Sequence, residues 1–557
     1  MNLPGLSVRN LTYHWRGNLA VLLGMAVGTA VLTGALLVGD SLRGSLAALS
    51  NDRLGWVDQA MVTPRFFRAD LADKEKLEVD RACGLIILRG SVSLEGSPLD
   101  QGAHRVNILG VDETFWPDHA TPPRFGKPTG AELTTIFLNN AAARALRLEK
   151  AEEKITLHLP KFSVLPRESL LGRRGTSDVV TEATLPVTAI FDEHHPNANF
   201  SLQTGAEPPR NVFVPLAWLQ SELDQAGKVN ALLLRGASAS LQVNLQRHVT
   251  LDDWGLKLRN TKRGYVSLES VQLVLPDPIV QTALDAAEAA KLRAAPTLAY
   301  LANSITEGEK SIPYSIVAAL DPAQPPPLGP FLPAGVPKLE DDEIILADWK
   351  DSPLSAKVGD TITLTYFGPE ETSEPRELTA TFRLRGTIPL EGVAADPNLT
   401  PPFPGITDRL TLDKWDPPFP FYRDRVQKRD EEYWKKYRAT PKAYVTLAKG
   451  QELWGSRFGK ATSIRLAPQA GGDLDKGMED YRRLFLQALQ LEQGGFVFQN
   501  VRQEGMSASA ASGSNFGMLF LGFSSFLILA ALMLVGLLFH LNLDRRAAEV
   551  GLLLAAG

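Results

Sequence analysis

One cysteine, Cys83, stands in 557 residues, which excludes an internal disulfide framework. Any large domain outside the cytosol would have to hold together by packing alone. No block of Lys and Arg occurs, and a net charge of −5 is mild for this length, so nothing favours a nucleic-acid partner. No Gly-x-x-x-x-Gly-Lys-[Ser/Thr] loop is present to cradle phosphates: Arg124–Lys127 and Arg457–Lys460 lack the first glycine and the hydroxyl residue after Lys. ATP, if used, must be bound by another subunit. No Gly-x-Ser-x-Gly and no Cys/His or Ser/Lys signature offers a nucleophile, and His158 and His248 stand singly as structural residues. The densest polar cluster, Asp192-Glu193-His194-His195-Pro196-Asn197, lacks the i, i+4 spacing of helical metal sites and reads as a solvated loop. Gly172–Asp178 reads as a mobile basic loop. Neither a metal nor a cofactor is expected.

What is present is grease at both ends. Gly17 to Gly39 carries no charge and is too long for a signal-peptide core, so 17–39 reads as an uncleaved membrane anchor after a cytoplasmic segment, 1–16. Residues 3–15 are expected as a short amphipathic surface helix. Phe516 to Leu543 is a second charge-free run, and His540 lies close enough to its end for the interface to solvate it. Arg9 and Arg16 precede the first run, and Arg545 and Arg546 follow the second. The positive-inside tendency therefore puts both ends in the cytosol and the middle outside. Ala20, Gly24 and Gly28 recur every four residues along one face of the first run, the pattern of a helix-packing seam in lipid.

The middle is α+β. Leu85–Leu88, Val106–Leu109 and Leu232–Leu234 read as strands; Asn140–Leu148, Ala283–Ala294 and Lys476–Leu491 read as helices. It also repeats itself. Ile136–Ala141 followed by Lys154–Leu159 resembles Ile344–Trp349 followed by Asp360–Thr365. Leu185–Ile190 parallels Leu378–Phe382, Val212–Ala217 parallels Ala443–Ala448, and Ala231–Arg235 parallels Thr462–Leu466. Upstream, Val106–Asp112 matches Tyr314–Asp321. The offset grows from about 207 residues to about 231, so two related units, 40–250 and 251–504, are expected, the second with an insertion at 389–441. The charged half of that insertion pairs Glu431 with Lys435 and Glu432 with Lys436 at helix spacing, with Tyr433, Trp434 and Tyr437 packing beneath. Residues 505–515 are small and polar and read as a flexible hinge.

After the second run comes Arg545-Arg546-Ala547-Ala548-Glu549-Val550-Gly551-Leu552-Leu553-Leu554-Ala555-Ala556-Gly557. The pattern Arg-x-x-Glu-[Ile/Val]-Gly-Leu-Leu-x-Ala-x-Gly past a membrane helix resembles the permease subunits of ABC transporters of the FtsX/MacB/LolC type. Leu554 departs from the basic residue usual there. The resemblance implies a multi-pass membrane protein whose MacB-like extracytoplasmic core domain is duplicated. It implies that 544–557 opens a segment facing a separate ATPase dimer, with Arg545, Arg546, Glu549, Gly551 and Gly557 carried over to it. It also implies a second permease copy, lipid contact, mechanical transmission to the outer domain, and further spans beyond Gly557. The bacterial inner membrane is the expected location, and lipid, lipoprotein, peptide or drug the expected cargo. Two rivals remain: a two-span receptor with an outer ligand-binding domain, which would need heptads after Leu543, and a tethered hydrolase, which would need a nucleophile.

Overall fold

The computed structural model describes residues 3–98, 101–125, 135–148, 151, 153–160, 180–203, 205, 207–236, 239–369, 376–417, 419–469 and 472–555. The basic loop expected at Gly172–Asp178 falls outside them. The chain runs α1 (Leu3–Tyr13), α2 (Trp15–Leu54), β1 (Gln59–Arg68), α3 (Lys74–Leu77), β2 (Arg81–Leu94), β3 (Ala103–Val111), β4 (Ile136–Asn139), α4 (Asn140–Leu146), β5 (Lys154–Pro160), β6 (Val180–Phe191), β7 (Asn211–Pro215), α5 (Leu216–Glu222), β8 (Lys228–Arg235) and α6 (Leu241–His248). It continues through β9 (Leu256–Asn260), β10 (Val266–Ser270), α7 (Asp277–Ala289), β11 (Leu292–Glu307), β12 (Lys310–Leu320), β13 (Glu343–Asp348), β14 (Thr361–Phe367), β15 (Glu377–Pro389), α8 (Lys428–Tyr437), β16 (Ala443–Thr446), α9 (Leu447–Trp454), β17 (Ser463–Pro468), α10 (Leu474–Ala488) and α11 (Val501–Ala555).

Strands β1–β8 form one sheet in the order β1-β8-β2-β3-β7-β4-β6-β5, and β9–β17 form a second in the order β12-β16-β13-β15-β14-β11-β17-β10-β9. Each pairing of the first sheet recurs with the same sense in the second. The antiparallel pairs β1–β8, β2–β8, β2–β3, β2–β5, β4–β7 and β5–β6 answer to β10–β17, β11–β17, β11–β12, β11–β14, β13–β16 and β14–β15. The parallel pairs β3–β7 and β4–β6 answer to β12–β16 and β13–β15. Even the irregularity is shared: the ladder slips between Ile136 and Phe137 in one unit and between Ile344 and Ile345 in the other. The paired segments read from the sequence occupy equivalent strands, but some registers differ. Ala231 answers to Ser463 rather than Thr462, and Leu185 to Phe382 rather than Leu378. A one-residue slip turns every side chain to the wrong face, so register rests on burial partners that a single strand does not display.

One core joins the units. Met61, Leu232 and Leu234 enter it from the first sheet, and their counterparts Leu268, Ile464 and Leu466 enter it from the second, with Leu245, Ala283 and Phe485 from helices between them. Bidentate hydrogen bonds from Arg68 to Asp253 (Nε–Oδ1 3.1 Å, Nη2–Oδ2 2.8 Å) lock the same seam. The expected helix Ala283–Ala294 overran. Lys291, at φ +56°, closes α7, and Leu292–Ala294 pair with β17 instead.

The opposite faces of the two sheets are equivalent but covered differently. In the first unit Leu109, Val111, Phe137 and Phe213 pack against Leu54, Trp56 and Val501, the ends of α2 and α11. In the second, Ala318, Leu320, Ile345 and Tyr444 pack against Phe331, Leu390, Leu399 and Tyr433. The insertion thus seals in one unit the face that receives the two long helices in the other. Its helix α8 is held by a Gln427/Asp430 capping box and buries Tyr433 and Trp434.

Beneath α8, Lys442 is fully enclosed, its Nζ 3.9 Å from Asp430 and 4.5 Å from the Tyr433 ring centre. Burial, partly offset by Asp430, pulls its ammonium down from the usual value to about 8. The folded pKa therefore lies below the unfolded one. The cost of enclosing the charge is fully present below about pH 8 and is relieved as pH rises toward the ordinary lysine value. Lys442→Met should resist protease cutting within 423–438 better than wild type at pH 7, and the two should converge by pH 10. A constant gap would contradict this.

Candidate functional site

The long helices meet the domain in a compact collar. Helix α2 does not stop at Gly39, where its charge-free run ends, but continues to Leu54. Fifteen residues at 1.5 Å each carry it about 22 Å further. From Phe516 back to Val501, α11 extends by the same length. Residues 505–515, expected as a flexible hinge, are helical. The bend lies elsewhere: the axis turns by 46° between Ile528–Leu541 and Arg546–Leu552.

Gly55 ends α2 at φ +56°, and Asn197 Oδ1 occupies the place a Cβ would take, so both the turn and the close approach demand glycine. Trp56 Nε1 and Asn197 Nδ2 donate to the same Phe115 carbonyl, at 2.8 and 2.9 Å. Arg81 covers the Trp56 ring, 4.5 Å from its centre. From α11, Arg502 reaches across. Its Nε donates to Asp58 Oδ1 at 2.7 Å, and its Nη2 donates to the carbonyls of Gly55 (2.7 Å) and Val57 (2.9 Å). Its other amine donates to Asn51 Oδ1. Ala60 and Gln499 then exchange backbone hydrogen bonds at 3.0 and 2.9 Å, tying the approach of α11 to the start of β1. Arg53 is buried at the same joint, and desolvation lowers its pKa from the usual guanidinium value.

A polar cleft of about 520 Å³ opens beside the collar, lined by Asp52, Arg81, Asp118, His119, His194 and Asn197 among others. Glu193–Asn197 of the polar cluster line it, partly enclosed: Asn197 is buried and His195 stacks on Phe191 at 4.0 Å. Among the described residues no three His, Cys, Asp or Glu side chains come together in a way that could hold a metal ion.

Helices α2 and α11 run antiparallel, since Gly24 faces Val535 and Gly28 faces Ala531. A Cβ on Gly24 would lie 3.0 Å from Val535 Cγ2, and one on Gly28 3.5 Å from Ala531 Cβ. Ala20 is half-buried on the same stripe, as are Ile528 and Leu538 opposite. Large apolar side chains crowd the remaining surface: Phe526 is 78% exposed and Met533 71%. Among the described residues one helix, Trp15–Leu54, is long and apolar enough to cross a membrane, and the bent pair in α11 would make a second. Arg545 lies at the bend in α11, and Arg546, Glu549 and Gly551 lie beyond it, at the end remote from the collar; Gly557 lies outside the described residues. The antiparallel pairing brings Arg9 and Arg16 to that same end.

No protein-family model and no curated protein matches the chain. Three solved domains are similar to part of it. The periplasmic region of MacB from Actinobacillus actinomycetemcomitans shares 9% identity over 35% of this chain and 86% of its own length, with a TM-score of 0.21. The extracellular domain of the noncanonic ABC-type transporter YknZ from Gram-positive bacteria shares 10% over 36% and 96%, also at 0.21. A domain assigned to a permease from Porphyromonas gingivalis shares 13% over 36% and 87%, again at 0.21.

Nothing in the sequence singles out Arg502. Its role needs the register of α11 against Gly55–Asp58, which no local pattern carries.

Proposed function

We propose that this chain is the membrane subunit of an ATP-driven transporter of the FtsX/MacB/LolC type, standing in a bacterial inner membrane with its α+β domain outside. The carrying observation is that two antiparallel helices, each with a long charge-free run, gather Arg9, Arg16, Arg545 and Arg546 at the end opposite the folded domain. Arg545 and Arg546 anchor that end at anionic headgroups. Glu549 offers a charge, and Gly551 a close approach, to a partner ATPase dimer that binds and hydrolyses the nucleotide this chain has no loop for. A second permease copy and lipid would cover the apolar surface left by the narrow α2–α11 seam. With 505–515 helical, a tilt of α11 would reach Arg502 and pull on Gly55–Asp58 and β1. Transport is then work done on the outer domain rather than flow through a pore.

The test is purification from native membranes in mild detergent. An ATPase subunit should accompany the wild-type chain and be lost from Gly551→Trp, with the outer domain's melting unchanged. A wild-type chain that emerges without any ATPase would overturn the proposal.

A further inference from the structure

Strand β11 serves two partners on one edge. Residues 292–297 pair with β17 and residues 304–306 with β14, and among the described residues no strand pairs with that edge between them. At this gap lies a largely apolar cavity of about 130 Å³. Its walls include Leu298 and Tyr300 from one face of the sheet and Ala299 and Leu301 from the other. Lining from both faces places the cavity at the strand's edge. The amide of Ala299 points into the gap, where it donates to Thr462 Oγ1 at 2.9 Å. By the alternation of a strand, the N–H and C=O of Leu301 face the same way.

The first unit shows the same gap closed. There β2 pairs with β8 over 81–85 and with β5 over 91–94, leaving the equivalent edge open. Asn230 plugs it: its Oδ1 accepts from the Ile87 N–H at 2.8 Å and its Nδ2 donates to the Ile87 carbonyl at 3.0 Å. Ile87 corresponds to Ala299 and Asn230 to Thr462. A threonine satisfies the N–H but has no amide to give the carbonyl. Two further wall residues carry a polar atom with no hydrogen-bond partner among the described residues: the Oδ1 of Asn303, 1% exposed, and the Nε1 of Trp454, 3% exposed. A buried acceptor and donor left unmade are costly unless something else satisfies them.

We propose that this slot binds an extended apolar segment of another polypeptide, added as a short strand to β11 with a side chain in the cavity. An extended peptide offers alternating N–H and C=O at the strand repeat, which an acyl chain or a ring does not. The cavity suits one aliphatic side chain. The inference stands on the slot alone and does not depend on the transporter reading.

The test uses the full-length chain in detergent and a fluorescent, capped pentapeptide alternating valine and threonine. Binding should be saturable and should slow hydrogen exchange of residues 298–303. Methylating the peptide's alternate amides should weaken it about tenfold, the loss of roughly one net hydrogen bond. Thr462→Asn, which recreates the plug of the first unit, should weaken it at least as much, and Thr462→Ser should not. Equal binding of the methylated peptide would mean a pocket for apolar groups only and would overturn the proposal. So would undisturbed exchange in 298–303, absence of binding, or a folded Thr462→Asn chain that binds as wild type does. If that variant fails to melt cooperatively, the two peptides on the wild-type chain decide.

Discussion

Arg502→Met should uncouple the long helices α2 and α11 from the α+β domain while leaving that domain folded. The side chain ties the end of α2, the Gly55–Asp58 link and α11 together through hydrogen bonds to Asp58, Asn51 and two carbonyls. It belongs to neither sheet's ladder and not to the core shared by the units. Charge-assisted hydrogen bonds contribute more than neutral ones, but Arg502 and Asp58 are 25% and 36% exposed, so water screens and replaces part of the loss. The net cost is about 2 kcal/mol, roughly thirtyfold in the opening of the collar. Hydrogen exchange at Ala60 and Gln499, whose backbones bond each other, should speed by that factor, and exchange in the β3–β7 core should not change. On the proposed function, transport assayed with a partner ATPase should fall much further than binding of that ATPase does. Lys at 502 restores the charge without the planar fork and should recover little. Unchanged exchange at Ala60 would show that the collar is held by packing alone.

Gly450→Ala should be among the most destabilising single changes in the second unit. A methyl there would overlap the Cβ of Ala319, on the strand beneath α9. The first unit makes the same contact with the sizes exchanged. Its α5 carries Leu219 where α9 carries Gly450, and its β3 carries Gly110 where β12 carries Ala319; a Cβ on Gly110 would lie 2.8 Å from Leu219 Cδ2. Overpacking of this kind costs about 1–3 kcal/mol, against which the helix preference of alanine returns only part. Adding Ala319→Gly should bring the double variant to within about 1 kcal/mol of wild type, because the volume is then the same. Urea unfolding of the outer domain measures both. A double variant no better than Gly450→Ala would break the claimed equivalence of the units.

Those two residues show where the sequence was readable. Leu219 and Gly450 look unlike each other in alignment, as do Gly110 and Ala319, and only their pairing across helix and strand explains both. Strands such as Leu85–Leu88 and Leu232–Leu234 announced themselves because they are buried, or nearly so, on both faces and so read as unbroken apolar runs. The long apolar helices and the aromatic underside of α8 were legible for the same reason. The stalks beyond Gly39 and before Phe516 were not, because their polar residues look like a loop until helix continuity is seen. Nor was the slot on β11, whose signal is a missing neighbour rather than a present residue. Its trace was there in the aligned copies, in Asn230 against Thr462, but the register of that strand pair was one residue out and hid the comparison.

Topology carries the rest of the account, and single-cysteine labelling tests it most directly. Cys83 can remain, since it is 1% exposed and burial pushes its thiol up to about 12, which keeps it unreactive. Cysteines placed one at a time at the exposed positions Asp118 and Ala548 would then report the two ends of the molecule to a maleimide that cannot cross the inner membrane. The account predicts that Asp118→Cys is labelled on intact cells with a permeabilised outer envelope, and that Ala548→Cys is labelled only after lysis. Labelling of Ala548→Cys before lysis, or protection of Asp118→Cys until lysis, would contradict it.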